Sequence, residues 1–393
     1  MFTILPQKGF IDQIDGFYCD GISAGLKLNA AKDLGFIYSD VLCDVEALFT
    51  LNKFQAAPLK HYQQYEDGFK TNFVLINSKN ANAMTGDKGI KDVSTIFSSL
   101  DFDITNPIMS STGVIGSPLP LQKIIDAANS FDLQSKNTEN LSHAIMTTDA
   151  YAKTCMYEVN LEDGTSFKIG AVAKGAGMIN PNLATMLCFI CTDAAIPKED
   201  MKELLELNSH TTFNAISIDG DTSTNDTVLL LANRKSNTYD KEAFKEALRL
   251  VMHDMAMLMV EDGEGAKKVV SFEVINATTN EEAQIAAKAL SNSLLVKTAL
   301  FGEDPNFGRI ASTIGASSID CDEKKLVLSY NDIVVYNKGK PTFNEEVEIE
   351  AAKVLKKKKY KVICDIGLGE GKFTAYGCDL GYNYVKINAD YRS

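Results

Sequence analysis

The strongest limit on the fold is an alternation, in the first half of the chain, between short apolar runs and longer stretches with helical periodicity. FVLINSK (73–79) is one such run, and GIKDVSTIFSSL (89–100) and PLQKIIDAANSF (120–131) repeat apolar residues every three or four positions. Strands that alternate with amphipathic helices are typical of layered α/β proteins, because the helices cover the faces of a sheet. We therefore predict an α/β fold.

The pattern continues towards the C-terminus. CMYEVNLEDGTSFKIGAVAK (155–174) places an Asp-Gly turn between two alternating runs and predicts a hairpin. Helical spacing over 240–259 and about 281–293 predicts two helices. Because 393 residues exceed the size of a single core, we predict an α/β domain over 1–280 and a smaller α+β domain over 281–393.

Charge and composition exclude several classes of protein. The formal net charge of −13 disfavours nucleic acid and anionic membranes as partners, since both would be repelled. The N-terminus has no basic and apolar signal pattern, and no window has the roughly 18 apolar residues of a membrane span. The sequence predicts a soluble cytoplasmic protein.

The cysteines predict neither disulfides nor a metal site. Eight are dispersed along the chain, and Cys188 and Cys191 form a C-x-x-C within the apolar run TMLCFICT (185–192). In a strand, a spacing of three places these two thiols on opposite faces, so they cannot bind one ion together. Core cysteines without a metal are the better interpretation.

One segment, KGAGMINPNLATMLCFICTD (174–193), is hard to explain by packing alone. A glycine-rich and proline-containing loop leads into Thr185 at the start of an apolar run. In that place the Thr185 hydroxyl can add to the Ala184 carbonyl, and hydrolysis of the resulting ester would leave Thr185 as a new N-terminus. A glycine-rich loop that merely feeds a core strand remains the structural alternative.

A new N-terminus at Thr185 would solve a chemical problem. A threonine hydroxyl is a weak nucleophile unless a base stands beside it. The freed α-amine of Thr185 has an ordinary pKa of about 7.7–8.0, so it can accept the hydroxyl proton near neutral pH. The four histidines lie outside the motifs, which agrees with a mechanism that uses no histidine.

A second segment, MSSTGVIG (109–116), has the composition of an oxyanion hole. Gly113 lets the backbone approach a ligand closely, and Thr112 offers a hydroxyl and a main-chain N–H. An ordinary turn is the alternative. The glycine-rich and acidic segments 217–227 and 261–268 match neither a calcium loop nor a phosphate-binding loop in spacing.

Taken together, these segments resemble the ornithine acetyltransferase family, also called glutamate N-acetyltransferase. The resemblance covers about residue 110 to the C-terminus, in the family's order. The matching blocks are STGVIG, AIMTTD, AVAKGAGMINPNLATML, DGDTSTNDT, DGEGAKK, KTALFGEDPNFGRI and INADYRS. Phe307, where many relatives have tryptophan, and Ser393, where threonine is common, are small departures.

The resemblance implies a fold and a set of site residues. The expected fold is a layered α/β sandwich of the self-cleaving N-terminal-nucleophile-like type. Cleavage is expected between Ala184 and Thr185, giving chains 1–184 and 185–393, with Thr185 as nucleophile and Thr112 and Gly113 as oxyanion hole. The substrate-binding residues implied are Thr148, Lys174, Thr185, Glu264, Asn388 and Ser393.

The resemblance also implies an activity. The acetyl group of N-acetylornithine would pass to Thr185 and then to glutamate, without a metal or an organic cofactor. Acetyl-CoA as a second acetyl donor is left open by the sequence. The working form is expected to be an α2β2 heterotetramer of the two self-cleaved chains.

Two alternatives belong to other classes. The first is an N-terminal-nucleophile acylase or aminopeptidase, which would pass the acyl group to water. The second is a binding or structural protein that is never cut.

Overall fold

The computed structural model describes residues 1–180 and 186–390, which form two β-sheets with helices packed on them. The strands of these residues are β1 (Phe2–Pro6), β2 (Phe17–Ile22), β3 (Leu34–Phe49), β4 (Lys70–Asn77), β5 (Ile108–Ser111), β6 (Lys153–Leu161), β7 (Ser166–Lys174), β8 (Leu187–Thr192), β9 (Ile216–Ser217), β10 (Thr227–Ala232), β11 (Val269–Ala277), β12 (Val327–Tyr330), β13 (Ile333–Asn337), β14 (Lys340–Pro341), β15 (Lys359–Asp365) and β16 (Gly371–Cys378). The helices are α1 (Ala57–Tyr62), α2 (Gly86–Ser98), α3 (Leu121–Ala128), α4 (Thr138–Ile145), α5 (Lys198–Ser209), α6 (Lys241–Glu261), α7 (Asn280–Asn292), α8 (Leu294–Phe301), α9 (Phe307–Ala316), α10 (Glu345–Leu355) and α11 (Tyr382–Asp390).

The first sheet has the strand order β1-β6-β7-β8-β10-β3-β4-β5, and β2 pairs with β3. The central strands β8 and β10 are parallel and buried along their whole length. Strands buried on both faces are near-continuous apolar runs, as this part of the sequence is. Helices cover both faces, so the predicted layered α/β class is confirmed.

Strand β8 shows how the sequence pattern sets the two faces of the sheet. Cys188 packs in the core that α5 and α6 cover, whereas Cys191 packs in the core that contains Leu141 and Ile145 of α4. The two thiols thus lie on opposite faces, as the spacing of three predicts. The prediction of separate core cysteines is confirmed.

Local signals account for the long helices. The Asp240 side chain accepts a hydrogen bond from the Ala243 N–H at 2.8 Å and caps α6, and Thr279 caps α7 in the same way. Both helices lie within a residue or two of the predicted spans. The predicted hairpin is also present, as β6 and β7 pair antiparallel across the Asp163–Gly164 turn.

The second sheet has the order β14-β13-β12-β15-β11-β16-β9 and encloses its own apolar core with α7, α9 and α10. Helix α6 packs between the sheets: its apolar face shares one core with β7 and β8 and with Val269 and Cys378 of the second sheet. Strand β11 of the second sheet begins at Val269. The division of the chain after residue 280 stays a prediction.

Within the described residues, no helix combines the length and the apolar character that crossing a membrane requires.

Candidate active site

A cavity of about 190 Å³ lies at one edge of the first sheet, where β5 and β7 end and β8 and β10 begin. The residues that line it are Thr112, Gly113, Ile115, Thr147, Thr148, Lys174, Gly177, Met178, Met186, Leu187, Asp219, Asp221, Ser223, Thr224, Asn225, Asp226, Glu264, Tyr384 and Asn388. The ends of neighbouring strands meet at this edge, so the fold brings together segments that are far apart in the sequence.

Six of the residues predicted from the sequence line this cavity: Thr112, Gly113, Thr148, Lys174, Glu264 and Asn388. Ala184, Thr185 and Ser393 lie outside the described residues. Met186 and Leu187, which follow Thr185 directly in the chain, both line the cavity. The predicted nucleophile is therefore one covalent bond away from a lining residue.

Lys174, at the end of β7, brings a buried positive charge to the cavity. It is 9% exposed, and its Nζ donates hydrogen bonds to Thr112 Oγ1 at 3.0 Å and to Thr147 Oγ1 at 3.1 Å. Burial lowers the pKa of Lys174 below its ordinary value, and the charge of Asp149 opposes that decrease. Hydroxyls do not neutralise the ammonium group that they bind, so it retains attraction for an anion.

The Thr112–Gly113 turn has one hydrogen-bond donor already in use. The Thr112 N–H donates to the Asn77 carbonyl oxygen at 3.0 Å, so the side-chain hydroxyl is the donor that Thr112 can still offer to a ligand. That hydroxyl accepts from Lys174, which leaves its own proton to be donated elsewhere. Gly113 has φ of 127°, and a Cβ there would lie 2.3 Å from the carbonyl carbon of Lys79. Only glycine fits this turn.

Glu264 and Asn388, which also line the cavity, contact each other. Asn388 Nδ2, on α11, donates to Glu264 Oε2 at 2.6 Å, and the Glu264 N–H donates to the Ala176 carbonyl oxygen at 2.9 Å. A Cβ on Gly177 would lie 2.4 Å from the Glu264 carboxyl carbon. Glycine at 177 therefore gives the Glu264 carboxylate access to the cavity.

The acidic segment 217–227 contributes two carboxylates whose roles sequence analysis missed. Asp219 accepts hydrogen bonds from the Met178 and Ile179 N–H groups at 2.6 and 2.9 Å, which fixes the glycine-rich loop. Asp226 is 2% exposed, and its Oδ2 has no hydrogen-bond partner among the described residues. Burial raises the pKa of Asp226 well above its ordinary value, and Lys174 opposes that increase.

In the sequence, the residues whose roles were not predicted stand out only because they fall within the blocks that match the family. Asp219 and Asp226 belong to DGDTSTNDT, and Thr147 and Asp149 to AIMTTD. Acidic turns are usually solvated, so their composition alone does not indicate a site. What distinguishes Asp226 is burial, which depends on the pairing of β10 with β8 and is a property of the tertiary fold.

Chemically, the cavity can hold a small molecule that carries both charges. Lys174 offers a cation on one side, and Asp219, Asp221, Asp226 and Glu264 supply carboxylates among the described lining residues. Hydroxyls and backbone groups beside Lys174 can donate hydrogen bonds to an oxyanion. These are the groups expected for acyl transfer between amino acids.

Comparison with known proteins gives consistent results. The model of the ArgJ family matches residues 18–393. The arginine biosynthesis bifunctional protein ArgJ of Wolinella succinogenes is 54% identical over the full length of both chains. The protein of that name from Caldanaerobacter subterraneus subsp. tengcongensis is 40% identical, covering 98% of this chain and 99% of its own. A solved crystal structure, that of the arginine biosynthesis bifunctional protein argJ from Bacillus halodurans, matches with 38% sequence identity and a TM-score of 0.49. The match covers 52% of this chain and 98% of the chain in that structure.

Proposed function

The chain belongs to the ArgJ family and is an enzyme of arginine biosynthesis, and from that premise we propose that it transfers an acetyl group from N-acetylornithine to glutamate. The observation that supports the proposal is that Lys174, Thr112, Glu264 and Asn388 line one cavity together with Met186. A cation, an oxyanion donor and a carboxylate thus share a cavity with the residue that follows the proposed nucleophile.

In this proposal the chain cleaves itself between Ala184 and Thr185. The Thr185 hydroxyl attacks the acetyl carbonyl of N-acetylornithine, and the Thr185 α-amine accepts the hydroxyl proton. The α-ammonium then protonates the leaving amino group, and ornithine departs. Glutamate attacks the acetyl-threonine ester through its amino group, which yields N-acetylglutamate and restores the free hydroxyl.

The oxyanion of each tetrahedral intermediate is assigned to Thr112 and Gly113. The contact between Lys174 Nζ and Thr112 Oγ1 supports this assignment, because a hydroxyl that accepts from a cation becomes a stronger donor. Donors that are already oriented before the reaction stabilise the developing charge without reorganisation.

The two ends of the substrate have complementary partners. We assign the α-carboxylate of the substrates to Lys174, with Thr148 beside it, and the side-chain ammonium of ornithine to Glu264. Asn388 holds the Glu264 carboxylate at 2.6 Å and so supports the orientation of that group. We assign Asn388 and Ser393 as hydrogen-bond partners of the substrate's carboxylate end or of its acetyl amide.

The acceptor distinguishes transfer from hydrolysis. Purified enzyme with N-acetylornithine and glutamate is expected to form ornithine and N-acetylglutamate in equal amounts. With glutamate omitted, turnover should stop after one acetyl group per site. Continued release of acetate without glutamate would instead establish the acylase alternative.

The nucleophile is tested by two substitutions. Thr185→Ala is expected to abolish both chain cleavage and acetyl transfer, since it removes the attacking oxygen. Thr185→Ser keeps that oxygen and should retain a measurable part of each. A denaturing gel and the transfer assay give the two readouts, and cleavage at the same bond in the alanine variant would contradict the assignment.

Other parts of the proposal rest on the family alone. We assign the enzyme to the cytoplasm and to an α2β2 assembly of the two cleaved chains. Whether acetyl-CoA also donates an acetyl group is decided by an assay of acetyl-CoA with glutamate. Formation of N-acetylglutamate there would establish the second activity.

A further inference from the structure

A fully buried cluster of three charges lies behind the cavity wall. Lys153, the first residue of β6, is 0% exposed, and its Nζ lies 2.7 Å from Asp149 Oδ1 and 2.6 Å from Asp262 Oδ2. None of these three residues is among the described residues that line the cavity. Burying charges is costly even when they are paired, so the cluster needs an explanation beyond stability.

Asp149 connects this cluster to Lys174. Its Oδ1 also accepts a hydrogen bond from the Gly175 N–H at 2.7 Å, and its Oδ2 accepts from the Thr147 N–H at 2.9 Å. Gly175 is the next residue after Lys174, and Thr147 Oγ1 is one of the two hydroxyls that Lys174 Nζ contacts. The backbone beside Lys174 and a partner of its ammonium are thus fixed by one carboxylate.

Asp262 connects the cluster to the segment of Glu264. It accepts hydrogen bonds from the Ala150 N–H, at 3.0 Å to Oδ2, and it precedes Glu264 by two residues. The Glu264 N–H in turn donates to the carbonyl oxygen of Ala176. The cluster therefore joins three segments, 147–150, 174–176 and 262–264. Each segment carries one residue that we assign to substrate binding.

The electrostatics agree with this arrangement. Burial by itself would raise the pKa of Asp149, but Lys174 and Lys153 hold it below its ordinary value, so Asp149 stays ionised. Burial lowers the pKa of Lys174, and Asp149 is the main charge that opposes the decrease. The charged groups around Lys174 are Asp149, Asp226, Glu264, Lys153 and Lys27.

We propose that Asp149, Lys153 and Asp262 are positioning residues for the acetyl-transfer site: they hold the segments of Thr148, Lys174 and Glu264 at the spacing that an amino-acid substrate requires. The proposal rests on the proposed function, since it takes Lys174 and Glu264 as the groups that bind the substrate's carboxylate and ammonium. Asp149 has a second effect, which is to keep Lys174 protonated.

The experiment compares KM and kcat of Asp149→Asn with those of the wild type across the alkaline pH range, with N-acetylornithine as the varied substrate. Loss of the Asp149 charge lowers the pKa of Lys174 further, so the ammonium is lost at a lower pH. The alkaline rise in KM is expected to begin about one pH unit lower. KM at neutral pH should increase about tenfold or more, with a smaller change in kcat.

A matched control separates positioning from stability. Asp193 is also a buried carboxylate that accepts a backbone N–H, from Lys168 at 2.7 Å, but it follows the far end of β8 from the cavity. Asp193→Asn neutralises a buried carboxylate in the same way and should leave KM and its pH profile at the wild-type values, whatever the change in its melting temperature. Asp262→Asn should raise KM, as Asp149→Asn does. If Asp149→Asn does not fold, the KM of Asp262→Asn tests the positioning role of the cluster.

The proposal would be overturned if the folded Asp149→Asn and Asp262→Asn proteins kept the KM values and pH profiles of the wild type. The cluster would then have a purely structural role. Failure of the proposed function would look different. In that case the wild-type enzyme itself would transfer no acetyl group to glutamate.

Discussion

The cavity wall and the cluster behind it each hold a buried lysine, and the two lysines are bound in opposite ways. Lys153 lies between the carboxylates of Asp149 and Asp262, whereas Lys174 donates to the hydroxyls of Thr112 and Thr147. Among the described residues, no carboxylate forms a salt bridge with Lys174. A cation that is neutralised inside the protein holds the segments of its carboxylate partners in place, while one without a contacting counter-ion is available to an anionic ligand.

The largest effect is expected on the Lys174 side, at Thr112. Thr112→Val keeps the shape of the side chain but removes the hydroxyl that we assign to the oxyanion. Because one such donor is worth a factor of about 100 to 1000 in kcat, the variant should lose that much activity with little change in stability. Thr112→Ser is the control and should stay close to the wild type, and equal kcat values for the two variants would remove Thr112 from the mechanism.

The difference between the roles of Lys153 and Lys174 is tested by replacing each lysine with methionine. Lys174→Met removes a charge-assisted contact to the substrate and should raise KM about 10- to 100-fold, with an unchanged or higher melting temperature. Lys153→Met leaves two buried carboxylates without a cation and should cost about 3–5 kcal/mol of unfolding free energy. Thermal unfolding and steady-state kinetics give the two readouts. If Lys174→Met proves the less stable of the two, the contrast between the lysines is wrong.

A smaller effect concerns Asp226, the buried carboxylate whose Oδ2 has no hydrogen-bond partner among the residues that the structure describes. Its folded-state pKa is raised above the unfolded value of about 3.9, so its contribution to stability is present below that pH. The contribution is lost as pH rises through the folded-state pKa. Asp226→Asn cannot ionise, so its melting temperature relative to the wild type should increase by a few degrees between acidic and neutral pH. A difference that is constant with pH would show that Asp226 does not titrate as described.

Local patterns were sufficient for individual elements. Helical spacing predicted α6 and α7, and the three-residue spacing of Cys188 and Cys191 predicted their opposite faces. The assembly of the second sheet could not be predicted in this way. Its edge strand β9 pairs with β16, about 160 residues later in the chain, and no local signal marks such a pairing.

The same distinction between local patterns and tertiary contacts applies to the candidate site. Turn chemistry and the basicity of a terminal amine made Thr185, Thr112 and Gly113 candidates but left an ordinary loop and turn as alternatives. The family resemblance implied their roles, together with those of Lys174, Glu264 and Asn388. The contact of Lys153 with Asp262 joins residues 109 positions apart. Sequence gave no reason to pair them, because a lysine at the start of a strand is usually solvated.

In the proposed mechanism, Thr185 becomes an N-terminal nucleophile that carries the acetyl group. Mass spectrometry of the purified enzyme, after exposure to N-acetylornithine without glutamate, tests it directly. We expect a C-terminal fragment that begins at Thr185 and carries one acetyl group, which disappears when glutamate is added. An uncut chain in active enzyme, or an acetyl group on a different residue, would contradict it.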